Sequence, residues 1–347
     1  MPLRCVDPHS NVAIHAFDLT TQEWTELVAR NRRDRHLRLP CCSSEVTLRR
    51  SRKGTQFFAH KALGACKTAP ETEAHLRLKQ IAVEVARAHG WEAATEIAGQ
   101  CPNGECWTAD VLATRGDARV AIEIQWSSQT ADETARRQAR YALAGVRGLW
   151  LMRTLAAPLS DAVPAVRISE DDVGQFSAHL PSLSVEQTIP VADFLNAAFQ
   201  GRLKFGLPLG ARTILSVQAG TAPCWSCGAF TRVLTDFKVE VGPHDFSFAV
   251  ADTEDALSLF EPLYGRLRSE YADIGVIKRR YSKTVGGSYL SNGCAHCDAI
   301  FGQHFEYEAY DDRETLLTTQ FPLNERWRRF LKHQEDDRTG WGVFEFT

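Results

Sequence analysis

Hydrophobic and polar positions along the chain follow two periods. ADVLATRGDARVAIEIQWS, from Ala109 to Ser127, reads as two strands joined by a turn. Over residues 68–90, Leu78, Ala82 and Val85 recur at helical spacing and predict a helix in TAPETEAHLRLKQIAVEVARAHG. Thr68 with Glu71 suits its start, Pro70 fits the first turn, and Gly90 ends it. A second helix is predicted in TADETARRQARYALAG, with Thr130 and Glu133 as a capping box and Gly145 as its stop. WEAATEIA predicts a strand, CPNGEC an Asn-Gly turn and GLWLM a short buried strand. The resulting order of helix, three strands, helix and strand is an α/β plan.

The flanks are less regular. VAIHAFDL and EWTELVA are expected to form a hairpin, as is EVTLRRSRKGTQFFAH, turning at Lys53 and Gly54. Residues from about 154 to 190 read as a boundary with short strands, followed by a short helix in VADFLNAAFQGRL. The expected division is an N-terminal β-rich module over 1–66, a core over 67–155, a connecting region over 156–220 and a cysteine-bearing region over 221–347.

Composition narrows the classes. The 347 residues are 44% hydrophobic and 24% charged, with no apolar run near the roughly 20 residues of a bilayer span. MPLRCVDPHSNVAIHAF lacks the apolar centre of a signal peptide, so a cytoplasmic protein without membrane partners is expected. A net charge of -3 excludes a polycation, leaving nucleic-acid contact to local patches such as Arg30–Arg38, Arg136–Arg140 and Lys278–Lys283. Each patch alone reads as a solvated face.

The acids change the picture. Glu123 and Gln125 share a strand face with Ala121, while Val120, Ile122, Ile124 and Trp126 share the other. An isolated pair of this kind would mark a half-exposed strand. In an α/β layer both faces are usually covered, so these polar groups are expected to line a cleft. The helix stripe extends back through His75 to Glu71, while Glu73, Arg77, Gln80 and Glu84 fall on the opposite face. Glu71, Asp110 and Glu123 would together form an oxygen-rich site suited to Mg²⁺ or Mn²⁺. Such an ion activates water and neutralises charge on a phosphodiester.

The order helix-Glu, strand-Asp, Glu-x-Gln resembles the PD-(D/E)XK nuclease superfamily, with Gln125 where lysine is commonest. ETEAHLRLK, ADVLA, AIEIQWSS, RQARY and LWLM, with FFAH from Phe57 to His60, together resemble the competence protein CoiA family over about residues 10–155. That resemblance implies a restriction-endonuclease-like core and a catalytic set of Glu71, Asp110, Glu123 and Gln125, with Asp110 and Glu123 holding the metal. It implies hydrolysis of DNA in uptake, recombination or defence, with a possible protein partner there. The alternative is a catalytically degenerate nucleic-acid-binding protein of the same fold. Arg137 and Tyr141 lie four apart on the second helix, placed to reach the phosphate or simply to pack.

Ten cysteines in a cytosolic chain point to metal sites or buried thiols more than disulfides. Cys224 and Cys227 form one CxxC pair, and Cys294 and Cys297 another, about 66 residues away. Four thiolates would close a structural zinc shell; redox pairs or buried thiols are the alternative. Cys41, Cys42, His60 and Cys66 offer a poorer second zinc set, because adjacent cysteines rarely ligate one metal comfortably. Cys101 and Cys106 read as free thiols.

Overall fold

The computed structural model describes residues 2–62, 71–155, 160–180, 187–333 and 340–346. The chain divides into two compact units, Met1–Leu180 with Thr188–Phe205, and Pro181–Gln187 with Gly206–Thr347. Among the described residues no helix is long and apolar enough to cross a membrane.

The first unit begins with a small module. Strands β1 (Arg4–Asp7) and β2 (Val12–His15) pair antiparallel, and helix α1 (Thr21–Asp34) follows. This corrects the hairpin expected for EWTELVA. Thr20 accepts from the Glu23 N–H, and the Glu23 carboxylate answers to the Thr20 N–H, a complete capping box. Trp24, Leu27 and Asn31 then lie on one buried face at helical spacing. Strands β3 (Val46–Arg50) and β4 (Gln56–His60) form the expected second hairpin, turned at Gly54 with φ 94°. Cys5, Trp24, Leu27, Leu37, Leu39, Val46 and Phe58 make its core.

Helix α2 (Glu73–Ala88) lies against β5 (Glu92–Gln100), β6 (Cys106–Arg115) and β7 (Ala118–Gln125). Its cap is Thr72, which accepts from the His75 N–H, so Glu71 precedes the helix instead of lying in its first turn. The expected cap Thr68 lies outside the described residues. Helix α3 (Ala131–Leu143) is capped by Thr130, as expected, and leads to β8 (Arg147–Met152). β9 (Ala165–Glu170), β10 (Phe176–Leu180) and β11 (Gln187–Pro190) extend the same sheet before α4 (Val191–Phe199) and the short β12 (Leu203–Phe205). The sheet has seven strands in the order β11-β10-β9-β8-β7-β6-β5, antiparallel from β5 to β7 and parallel from β7 to β9. This is a mixed α/β unit. β7 is buried from Ala121 to Ile124, as expected of a strand covered on both faces.

The second unit is built on β13 (Arg212–Pro223), β14 (Phe230–Val241), β15 (His244–Phe248), α5 (Leu257–Glu270), the hairpin β16 (Lys278–Ser282) and β17 (Gly287–Ser291), α6 (Gln303–Glu306), β18 (Glu314–Pro322) and α7 (Glu325–Lys332). Its four-stranded sheet runs β15-β14-β13-β18. Phe237, Phe260, Tyr264, Trp327 and Phe330 fill its core.

Candidate functional site

Three acids stand side by side across three strands. The β5–β6 register pairs Thr95 with Val111 and Ile97 with Ala109, which sets Glu96 opposite Asp110. The β6–β7 register pairs Val111 with Ile122, and one step further sets Glu123 opposite Asp110. The β5–β6 pairing is interrupted at this row and resumes beyond it, while the β6–β7 pairing ends one step short of it. Glu96 takes a left-handed φ of 50°, and the Asp110 carboxylate accepts from the Ile124 N–H at 3.0 Å. Adjacent like charges in a sheet repel, so the row must draw its compensation from the flanking helices.

Helix α2 supplies most of it. Lys79 is almost wholly buried, its side chain 1% exposed, and its Nζ lies 2.6 Å from Glu71 Oε1 and 3.1 Å from both Glu96 Oε1 and Asp110 Oδ1. Burial is the largest influence on this ammonium and lowers its pKa. Asp110, Glu96 and Glu71 together outweigh it and hold Lys79 well above the ordinary lysine value. One turn earlier, His75 Nε2 sits 3.2 Å from Asp110 Oδ2. Burial would raise the Asp110 pKa, but Lys79, His75 and the Ile124 N–H pull it far below the usual carboxylate range. Leu3 N–H donates to Glu96 Oε1 at 3.3 Å and Thr95 Oγ1 donates to its other oxygen, so Glu96 is fixed on both sides.

Helix α3 holds the far end of the row. Tyr141 Oη and Arg137 Nη2 both donate to the Glu123 carboxylate, which is 1% exposed. Burial and the neighbouring Asp110 push the Glu123 pKa up to about 8, against the pull of Arg137 and Tyr141. A polar cavity of about 370 Å³, lined by Trp107, Glu133, Arg137, Arg140 and Tyr141, adjoins this end. Gln125 is held by its own loop: its Nε2 donates to Ser127 O at 2.8 Å and to Ser127 Oγ at 3.1 Å.

Glu71, His75 and Asp110 therefore meet, with ligand atoms within 4.8 Å of one another, while Glu123 is engaged by α3 and Gln125 by its own loop. Lys79 and Glu96 are additions that the sequence reading lacked. The donor set of carboxylate oxygens with one imidazole fits a divalent cation, with the imidazole favouring Mn²⁺ over Mg²⁺. The charge fits as well, because three carboxylates converge on a single ammonium.

The second unit brings the four expected cysteines together. Cys224 Sγ lies 3.7 Å from Cys297 Sγ, and Cys227 Sγ 3.7 Å from Cys294 Sγ. Tetrahedral zinc with bonds of ~2.3 Å requires sulfurs about 3.8 Å apart, so this cluster can hold a metal such as zinc. Burial raises the Cys294 pKa, but Thr231 Oγ1 and the N–H groups of Cys297 and His296 donate to its sulfur and bring it down to about 6. The nearby basic residues are paired internally: Lys278 and Arg280 with Asp298, and Arg279 with Glu254.

Comparison with known proteins bears on the first unit. Residues 71–158 match the family model described as competence protein CoiA, nuclease-like domain. Over that stretch the chain is CoiA-like. All three acids of the row, with Glu71, His75, Lys79, Arg137 and Tyr141, fall inside the CoiA-like stretch. No curated protein matches the chain. The crystal structure of a protein of unknown function, AF1548, aligns at 20% identity over 24% of this chain with a TM-score of 0.20. The chain spans 48% of that protein's length, and a likeness at this level carries no weight for the fold.

Proposed function

We propose that the CoiA-like domain is a metal-dependent deoxyribonuclease on the PD-(D/E)XK plan, with Glu71, Asp110, Glu123 and Gln125 at its site and roles for Lys79 and His75. The observation that carries this reading is the convergence of Glu71, His75 and Asp110 within 4.8 Å, inside the segment matching a nuclease-like family. Asp110, Glu71 and His75 would hold Mg²⁺ or Mn²⁺, with Glu123 behind them. When bound, the ion supplies Lewis acidity toward the phosphodiester and lowers the pKa of water.

The chain's own residues do the rest. Lys79 fixes Asp110 and Glu71 and provides the positive charge that Gln125 lacks. Arg137 and Tyr141 orient Glu123, and the Arg137–Arg140 edge of the adjoining cavity offers cations to a phosphate. Gln125 contributes by anchoring the Ser127 turn. The zinc of the Cys224, Cys227, Cys294 and Cys297 cluster is structural, because four thiolates leave no position for substrate. DNA uptake, recombination or defence would supply the substrate, and a protein partner there.

The test is cleavage of linear and circular, single- and double-stranded DNA in Mg²⁺, Mn²⁺ or EDTA, beside calorimetric titration of Mn²⁺. Asp110→Asn and Glu71→Gln should each abolish cleavage and weaken Mn²⁺ binding at least tenfold while the fold persists. One observation favours a second reading, a DNA-binding protein without catalysis: Lys79 and Arg137 already compensate the acids. In that case wild type and variants bind DNA alike, with salt-sensitive affinity, and neither cleaves in any metal.

A further inference from the structure

The two cysteine loops of the second unit share a backbone plan. Counting from the first cysteine, the N–H four residues on donates to its carbonyl: Gly228 to Cys224 at 2.8 Å, and Asp298 to Cys294 at 3.1 Å. The first cysteine's own N–H donates five residues on, to Ala229 O at 2.9 Å and to Ala299 O at 2.8 Å. The donating residue is left-handed in both, Gly228 at φ 74° and Asp298 at φ 60°. The flanks pair antiparallel, Pro223 with Phe230 and Gly293 with Ile300.

Leu39–Ser44, in the first unit, repeats every part of this plan. Ser43 N–H donates to Leu39 O at 2.9 Å, and Leu39 N–H to Ser44 O at 3.0 Å. Ser43 is left-handed at φ 54°, and Arg38 pairs antiparallel with Glu45. Cys42 holds the position of Cys227 and Cys297. Leu39 occupies the first-cysteine position and is buried in the module's core, and Cys41 stands beside Cys42. Their sulfurs lie 3.6 Å apart, and Cys42 Sγ is 3.3 Å from His60 Nε2. Tetrahedral zinc asks for about 3.8 Å between sulfurs and about 3.6 Å between sulfur and imidazole nitrogen, from bonds of ~2.3 and ~2.05 Å. His60 is held there by the Val46–His60 pairing and by Lys61 N–H donating to Glu45 O at 3.0 Å.

We propose that Arg38–Glu45 is a third zinc knuckle, and that Cys41, Cys42 and His60 form a second zinc site with a displaced first ligand. The adjacent cysteines are compatible with one metal here, because the ligand atoms of Cys41, Cys42 and His60 all lie within 4.8 Å of one another. Among the described residues, three side chains supply ligands to this site. Cys66, the remaining candidate from the sequence, lies outside the described residues.

The experiment is zinc per chain by elemental analysis of the full-length protein, with cobalt substitution read by absorbance. Wild type should hold two zinc ions. Cys227→Ser with Cys297→Ser should leave one, and Cys42→Ser with His60→Ala should leave the other. One zinc in wild type, or a second zinc that survives Cys42→Ser with His60→Ala, overturns the proposal. Should that pair fail to fold, His60→Cys decides: another thiolate on cobalt raises the sulfur-to-cobalt band, and an unchanged spectrum refutes the site.

Discussion

Replacing Lys79 with Met keeps most of the side chain's apolar stem and removes its charge. The ammonium sits within 3.1 Å of three carboxylates and is 1% exposed, so its loss leaves three crowded, largely buried carboxylates without their shared counter-charge. Breaking a buried ion pair by deleting one partner costs about 3–5 kcal/mol. At roughly 2–4 °C per kcal/mol for a unit of this size, the first unit should melt roughly 6–20 °C lower. Scanning calorimetry of Lys79→Met against wild type measures this. The same variant frees Glu71 and Asp110 from their competitor, so millimolar Mn²⁺ should recover much of the loss, because an ion that binds only the folded chain stabilises it by mass action. Lys79→Met with Glu96→Gln should be less destabilised than the sum of the two singles, since one stranded charge has gone. A Lys79→Met protein as stable as wild type, or one indifferent to Mn²⁺, would refute the account of Lys79 as the counter-charge of the acid row.

Three further outcomes are expected. Glu123 has its pKa raised in the folded chain from 4.5 to about 8, so its protonated form favours folding; its contribution is full below pH 4.5, falls as pH rises to about 8, and is flat beyond. The stability difference between wild type and Glu123→Gln, followed by denaturant titration from pH 4.5 to 9, should show that slope, and a pH-independent difference would contradict it. A Cβ on Gly275 would lie 1.9 Å from Gly293 O, beside Cys294, so Gly275→Ala should destabilise the second unit by about 1–3 kcal/mol and speed zinc release to a chromogenic chelator. Trp107 stacks edge-on to Tyr141 and lines the cavity beside Glu123. Trp107→Ala should cost about 3–5 kcal/mol in stability, and Glu123 should then titrate nearer its ordinary value as water enters.

Much of this architecture is written in local signals. The helix periodicity at Leu78, Ala82 and Val85, the Thr130 cap and the alternation around Glu123 led to elements that stand in the structure. α1 was also legible, through Thr20 and Glu23, but the apolar residues of EWTELVA read equally as a strand over so short a window. Lys79 continues the row of Glu71 and His75 at steps of four, so its direction was available; the stripe reads through the apolar Leu78 instead, since a buried lysine is uncommon. Glu96 gave no such signal. Its role depends on a left-handed backbone in mid-strand and on its register with Asp110, and both follow from tertiary pairing. The knuckle at Leu39 was hidden because its first ligand position carries leucine, and the shared hydrogen-bond pattern exists only in the folded backbone.

The grip of the N-terminal residues on Glu96 sets the smallest working fragment. Leu3 N–H holds the Glu96 carboxylate, and Arg4 Nη2 donates to Glu96 O at 2.9 Å. β5 is an edge strand of the seven-stranded sheet, and an open edge is a template for pairing with other chains. A fragment trimmed to begin at residue 71, where the family match begins, would keep every acid of the row. It would also release Glu96 and bare the edge beside it, so it should be prone to aggregation and inactive despite a complete set of site residues.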